Sequence, residues 1–114
     1  MKGTEKQIAW AEDIIRRAYE GLEKIIADAD AEAARLAENA KAMEEGARRD
    51  RFMSRVEGFK RRAENARAAK ESLDQKLSEE KYQDAGLIIN RRDGFKLFSD
   101  SVVFDSVSDA GKII

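Results

Sequence analysis

The chain contains no cysteine, no histidine and no proline. Without cysteine it has neither disulfides nor a thiolate nucleophile, and without cysteine and histidine it lacks the usual ligands of a zinc site. The absence of histidine also removes the side chain that enzymes use most often to transfer protons near neutral pH. These absences exclude several of the commonest catalytic and metal-binding classes.

The chain also lacks an excess of charge of one sign and long apolar runs. The 22 basic and 23 acidic residues give a net charge of −1, which argues against both a generic nucleic-acid coat and an acidic mimic of nucleic acid. The longest strongly apolar runs, residues 87–89 and 102–104, are far shorter than the ~20 residues of a membrane-spanning helix. No apolar segment follows residues 1–6, so no secretory signal is expected. The expected location is cytoplasmic.

The 114 residues predict one domain, 1–114, of mainly α class, built as a long antiparallel helical hairpin with a small C-terminal subdomain. The first helix is predicted over residues 4–45, where Thr4 and Gln7 have the spacing of a capping box. Ile15 and Leu22 are expected to be buried in its apolar stripe. This stripe recurs every 3.5 residues, as in a packed helical interface, at Ile8, Ala11, Ile15, Ala18, Leu22, Ile25, Ala29, Ala33, Leu36, Ala40 and Met43.

A second helix is predicted over residues 50–80. Gly46 is a candidate C-cap of the first helix, and Asp50 a candidate N-cap of the second. Both predicted helices are rich in alanine, so they can approach closely as an antiparallel pair. The apolar stripe of the second helix runs through Phe52, Val56, Phe59, Ala63, Ala66, Leu73 and Leu77.

Residues 82–114 are predicted to form the small subdomain, either α/β or a β-hairpin. The consecutive apolar residues of segment 82–92 fit a short helix or a buried strand. Asp93-Gly94 is a turn signal, and the apolar residues after it predict strands. The terminal Ile113-Ile114 is expected to pack on the helices. The strand prediction rests on Phe95, Leu97, Val102, Val103, Phe104 and Val107.

The opening GTEKQIAWAEDI, Gly3 to Ile14, resembles a recurrent N-terminal motif of small uncharacterised proteins from bacteria, phages and other mobile elements. Those proteins often carry a later segment ending in an Ile-Asp-Asn-Arg-like string, and DAGLIINRRD, Asp84 to Asp93, is similar to it with departures in the middle. The two motifs cover about a fifth of the chain. The resemblance implies a small accessory protein of phage or mobile-element origin. Proteins of that size and origin often inhibit host defence machinery, including CRISPR effectors, which is an association and not a motif match.

Trp10 is the single tryptophan of the chain. One interpretation is an exposed aromatic anchor for a partner, because tryptophan is enriched at interface hot spots. The favoured interpretation is that it packs against residues 87–89, which would bring the two motifs of the resemblance together.

The basic residues of the second helix form a candidate binding surface. Residues 49–76 carry 9 basic and 5 acidic side chains, a local charge of +4. At about 100° per residue, Arg48, Arg51, Arg55 and Arg62 flank one side of Phe52 and Phe59, whereas Arg49, Lys60 and Arg67 flank the other. These arginines would contact phosphates or an acidic partner, or would pair with carboxylates of the first helix. The predicted partner-binding residues are Arg48, Arg51, Arg55, Arg62, Phe52, Phe59 and Arg67.

No residue pattern predicts catalysis, a metal site or a cofactor. The carboxylate pairs lie at helical surface positions, and the seven glycines match no phosphate-binding motif. A non-enzymatic protein is therefore expected.

Two functional hypotheses remain from the sequence. The favoured one is a protein-binding accessory or inhibitor protein that occupies a partner's surface, the partner being a protein or a nucleoprotein complex. The alternative is a nucleic-acid-binding accessory factor that uses the basic helix over residues 48–70. Because two long helices leave apolar surface uncovered, a homodimer is also expected.

Overall fold

The computed structural model describes the backbone of residues 1–104 and 113–114, and the side chains of 1–100, 113 and 114. Its hairpin consists of α1, Glu5–Lys41, and α2, Ala47–Leu77. A 3₁₀ helix, Glu80–Gln83, and the helices α3, Ala85–Asn90, and α4, Arg92–Phe104, follow. The prediction of a mainly helical chain with long helices is confirmed.

Helix α1 begins at the predicted capping box. The Gln7 amide donates to Thr4 Oγ1 at 3.1 Å, and the Thr4 amide donates to Gln7 Oε1 at 3.0 Å. The helix ends at Lys41, and α2 starts at Ala47 instead of after Asp50. Gly46, at a φ of 152°, is the residue before α2 and not the end of α1, and Asp50 lies in the first turn of α2, where negative charge is favourable.

The main core lies at one end of the hairpin, which we call the base. There the N-terminal half of α1 and the C-terminal half of α2 are covered by α3, α4 and the 3₁₀ helix. Leu22 is fully buried as predicted, but Ile15 is only partly buried at the edge of this core. The buried core residues are Ala11, Ala18, Leu22, Ala66, Ala69, Leu73, Tyr82, Ala85, Ile88, Phe95, Phe98 and Ile114.

The predicted C-terminal β subdomain is not supported: the part of the chain that the structure describes contains an isolated bridge between Lys2 and Asp84 but no strand. Segment 82–92 is helical, and the Asp84 carboxylate caps α3 by accepting from the Gly86 amide at 2.9 Å. The residues predicted as strands up to Phe104 form α4. The physical reason is the spacing of Phe95 and Phe98, both fully buried, which lie three residues apart on one helical face. Val107 lies outside the described residues.

Both chain ends pack on the base. The Lys2 amide donates to Gln83 O at 2.6 Å, and the Ala85 amide donates to Lys2 O at 2.8 Å. Ile114 is buried as predicted, and its backbone oxygen accepts from the Tyr82 hydroxyl and from Arg91 Nη1. The first of the two motifs of the resemblance therefore begins beside the second.

Candidate functional site

The part of the hairpin that extends from the base, residues 25–62, is called the distal arm. Its small core contains Ala33, Leu36 and Val56, with Phe52 and Phe59 packed against it and half-buried. Among the described residues, only α1 and α2 contribute to this core. Two helices cannot enclose a core on all sides, so the two phenylalanines keep part of their surface in solvent.

One edge of the hairpin is closed by polar contacts between the helices. The Tyr19 hydroxyl donates to Asp74, Lys70 Nζ lies 3.2 Å from Glu23 Oε1, and Arg67 pairs with Asp30. Burial, followed by the hydrogen bond to Asp74, raises the pKa of Tyr19 well above its usual value of 10. The structure thus gives Arg67, one of the predicted partner-binding residues, an intramolecular partner.

The other edge carries the four arginines predicted to share one side of the phenylalanine stripe, which we call the arginine flank: Arg48, Arg51, Arg55 and Arg62. Within the described part of the molecule, none of the four lies within 4.0 Å of a carboxylate oxygen. Arg55 lies over the Phe52 ring at 5.9 Å from its centroid. The two edges therefore differ: basic residues form ion pairs between the helices at one edge, whereas the four arginines at the other edge form none with a described residue.

A shallow groove of about 360 Å³ lies where the arginine flank approaches α4. Its apolar surface comes from Ile25, Ala29 and Phe59. Its charged residues are Lys24, Asp28, Glu32, Arg62 and Asp100. The hydrogen bond from Arg35 and, to a smaller extent, the positive charges of Arg35 and Arg55 lower the pKa of Glu32, so this carboxylate stays charged. The groove thus offers both signs of charge around an apolar strip.

A second groove, called the Trp10 groove, lies at the base between α1 and the first turns of α4. Trp10 is 49% exposed, and its packing against residues 87–89 stays a prediction. The Arg92 guanidinium lies 5.6 Å from the centroid of its ring. This groove of about 450 Å³ is lined by Trp10, Asp13, Ile14, Arg17, Ala18, Arg92, Asp93 and Lys96.

Arg92 and Lys96 were not identified from the sequence as site residues. Their contribution to the Trp10 groove depends on α4 being a helix that packs against α1, and a strand prediction for the same segment does not place them there. The helical spacing of Phe95 and Phe98 is the signal that could have revealed it.

The described residues hold no group of three acidic side chains arranged to bind a metal ion. None of the described helices is long and apolar enough to cross a membrane. No protein-family model matches the chain, and neither a curated protein nor a solved structure shows significant similarity to it. The likeness of its opening segment to small phage and bacterial proteins therefore remains a resemblance.

Proposed function

We propose that the chain is a non-enzymatic protein-binding protein that acts by occupying the surface of its partner with the distal arm. The observation that carries the proposal is the contrast between the two edges of the hairpin. Arg67 and Lys70 are paired with carboxylates of α1, whereas the arginine flank lies without such pairs beside two half-buried phenylalanines. Arginine and aromatic side chains together are the composition enriched at protein interfaces.

The charge of the distal arm favours a protein partner over nucleic acid. Residues 25–62 carry 9 basic and 8 acidic side chains, so the arm as a whole is nearly neutral. Asp28 and Glu32 lie across the groove from Arg62 and would repel a phosphate backbone. A protein surface that presents both charges and apolar side chains fits this mixed face better.

The resemblance of the opening segment adds a proposal about the partner's class. A small accessory protein of phage or mobile-element origin would act as an inhibitor of a host defence complex, such as a CRISPR effector. Occupying a surface needs no catalytic residue, which is consistent with a chain that lacks histidine and cysteine.

The alternative function is a nucleic-acid-binding accessory factor that uses the basic helix over residues 48–70. The observation in its favour is the arginine flank itself, because four guanidiniums on one side of a helix can contact consecutive phosphates.

An affinity capture from a bacterial lysate separates the two functions. The full chain is immobilised beside two variants that each lose two positive charges of α2: Arg51→Ala with Arg55→Ala on the arginine flank, and Lys60→Ala with Arg61→Ala as the matched control. We expect the wild type and the control to capture the same protein partner after nuclease treatment, and the flank variant to lose it. Loss of all capture on nuclease treatment would favour the nucleic-acid alternative, and equal capture by both variants would contradict the assignment of this flank.

A further inference from the structure

We propose that the Trp10 groove is a second binding site, which takes an acidic peptide segment carrying one bulky apolar side chain. This site lies at the base, and the proposal does not rest on the function proposed for the distal arm. Its walls come from α1 and α4, so it exists only because α4 packs against α1.

The apolar part of the groove is Trp10 with Ile14 and Ala18. The buried aromatic side chains of the base core, Tyr82, Phe95 and Phe98, are no more than 1% exposed, whereas Trp10 is 49% exposed. Burial of a large exposed indole surface by a partner is favourable. Tryptophan is among the side chains that contribute most to interface affinity.

Two cations, Arg92 and Lys96, lie beside this apolar surface. Arg92 Nη1 donates to Ile89 O at 3.0 Å, which holds the guanidinium against the Trp10 ring. Lys96 follows one helical turn later on α4 and lines the same groove. Neither cation lies within 4.0 Å of a carboxylate in the described part of the chain, so each can pair with a carboxylate of a ligand.

The acidic residues of the groove distinguish a peptide from a nucleic acid. Asp13 Oδ2 forms a salt bridge with Arg17 Nε at 2.9 Å, and Asp13 also pairs with Arg16, so its charge is balanced within α1. Asp93 lines the opposite wall. The charge of Asp93, which forms no ion pair with a described residue, disfavours a continuous row of phosphates more than a peptide whose single carboxylate lies near Lys96. Both carboxylates can accept hydrogen bonds from the amides of a peptide.

The volume sets the size of the occupant. About 450 Å³ lies within the range of sites that hold a small ligand. It accommodates one bulky aliphatic or aromatic side chain on Trp10 together with a neighbouring acidic residue near Lys96. A whole folded domain would have to engage the groove through such a segment.

The test begins with a random dodecapeptide library displayed on phage and selected against the immobilised full chain, with the Trp10→Ala variant as the counter-selection. The most enriched peptide is then synthesised and titrated into the protein, with the fluorescence of Trp10, the single tryptophan, as the signal. Lys96→Glu is compared with Lys60→Glu, which makes the same charge change on the distal arm. Circular dichroism establishes that each variant is folded.

We expect selected peptides that combine Asp or Glu with a bulky apolar residue. Lys96→Glu should weaken their binding by about tenfold or more, as expected for a lost charge-assisted contact, and Lys60→Glu should leave binding unchanged. A selection that enriches nothing over the Trp10→Ala counter-selection, or only basic peptides, would overturn the proposal. Saturable quenching of Trp10 by oligothymidylate that Lys96→Glu abolishes would also overturn it, in favour of a nucleic-acid site.

Discussion

Gly21 of α1 lies directly against Ser99 of α4. A Cβ atom at position 21 would come within 3.0 Å of Ser99 Oγ and 3.3 Å of Ser99 Cβ. Glycine in the middle of a helix costs stability because it adds backbone entropy to the unfolded chain. Its presence in α1 is therefore explained by the close approach of α4, which a side chain at this position would obstruct.

Substitutions at two mid-helix glycines should have opposite effects. At Gly58 of α2, a new Cβ meets nothing within 4 Å, so Gly58→Ala should raise the free energy of unfolding by about 0.5–1 kcal/mol. At Gly21 the same gain is offset by the contact with Ser99, and Gly21→Leu should lower stability by about 1–3 kcal/mol because it overpacks the interface with α4. Urea denaturation of Gly58→Ala, Gly21→Ala and Gly21→Leu measures the change in unfolding free energy at each position. Equal stabilisation by alanine at the two positions would contradict the packing of α4 on α1.

Aspartate introduced at two positions of the α1 stripe should lower the stability of the fold by different amounts. Leu22 is fully buried in the base core, so Leu22→Asp leaves an unpaired carboxylate among apolar side chains and should cost several kcal/mol. Ile15 is only partly buried, so Ile15→Asp can turn its carboxylate towards water and should cost less. Thermal melts followed by circular dichroism rank the two variants. A Leu22→Asp melt that matches the wild type would show that the core is misassigned.

The helical hairpin could be predicted because its signals are local and repeated. The 3.5-residue stripe runs through Leu22 and Leu36, both of which are buried, and the capping box at Thr4 sets the start of α1. The end of α1 at Lys41 and the start of α2 at Ala47 differ by a few residues from the predicted boundaries. The apolar pattern near the turn is too weak to define a helix boundary.

A short helix over residues 82–92 is one of two alternatives from the sequence, but α4 could not be predicted from the same kind of signal. Asp93-Gly94 has the composition of a turn, but Asp93 lies in the first turn of α4. Gly94 is needed for a long-range contact: a Cβ there would come within 2.6 Å of Ile113 O. A glycine selected by tertiary packing cannot be distinguished, in the sequence alone, from one selected by a turn. The Trp10 groove depends on the same helix and was missed for the same reason.

Because of Tyr19, the stability of the fold should decrease at alkaline pH. Burial and the hydrogen bond to Asp74 raise its pKa in the folded state above the ordinary value of 10, so the folded chain binds this proton more tightly than the unfolded chain does. The contribution of the Tyr19 hydroxyl to the free energy of unfolding is therefore complete below pH 10 and decreases as the pH rises above 10. We expect the difference in unfolding free energy between wild type and Tyr19→Phe to shrink above pH 10, as measured by urea denaturation at each pH. A pH-independent difference would contradict the raised pKa.

The partly exposed apolar side chains of the distal arm predict that the chain self-associates. Its core consists of side chains from two helices, Phe52 and Phe59 are half-buried, and Met53 is 39% exposed. A second copy of the chain would cover part of this surface. Multi-angle light scattering should report about twice the chain mass of 12.9 kDa at micromolar concentration. A monomer mass throughout a hundredfold dilution series would rule out the dimer.

Replacing part of the arginine flank tests whether it binds a partner or stabilises the fold. Arg51 and Arg55 are exposed, Arg62 is half-buried, and none of the three is in an ion pair with a described residue. Changing all three to alanine should therefore lower the unfolding free energy by less than about 1.5 kcal/mol, which is the sum expected for surface positions. Binding to an identified partner should weaken by several kcal/mol if the flank lies at the centre of the interface. The matched control changes three basic residues of α2 that lie away from this flank, Arg49, Lys60 and Arg61.

The salt dependence of the same triple variant distinguishes the class of partner. A nucleic-acid site that loses three phosphate contacts should lose a slope of about 3 in log affinity against log salt concentration, because each contact releases a counterion. A protein interface should show a smaller change of slope, since burial of Phe52 and Phe59 contributes a part of the affinity that does not depend on salt. We expect the smaller change, because Asp28 and Glu32 balance the arginines across the groove. Affinity that is unchanged by the triple substitution, in a chain with an unchanged melt, would show that the arginine flank is not the binding surface.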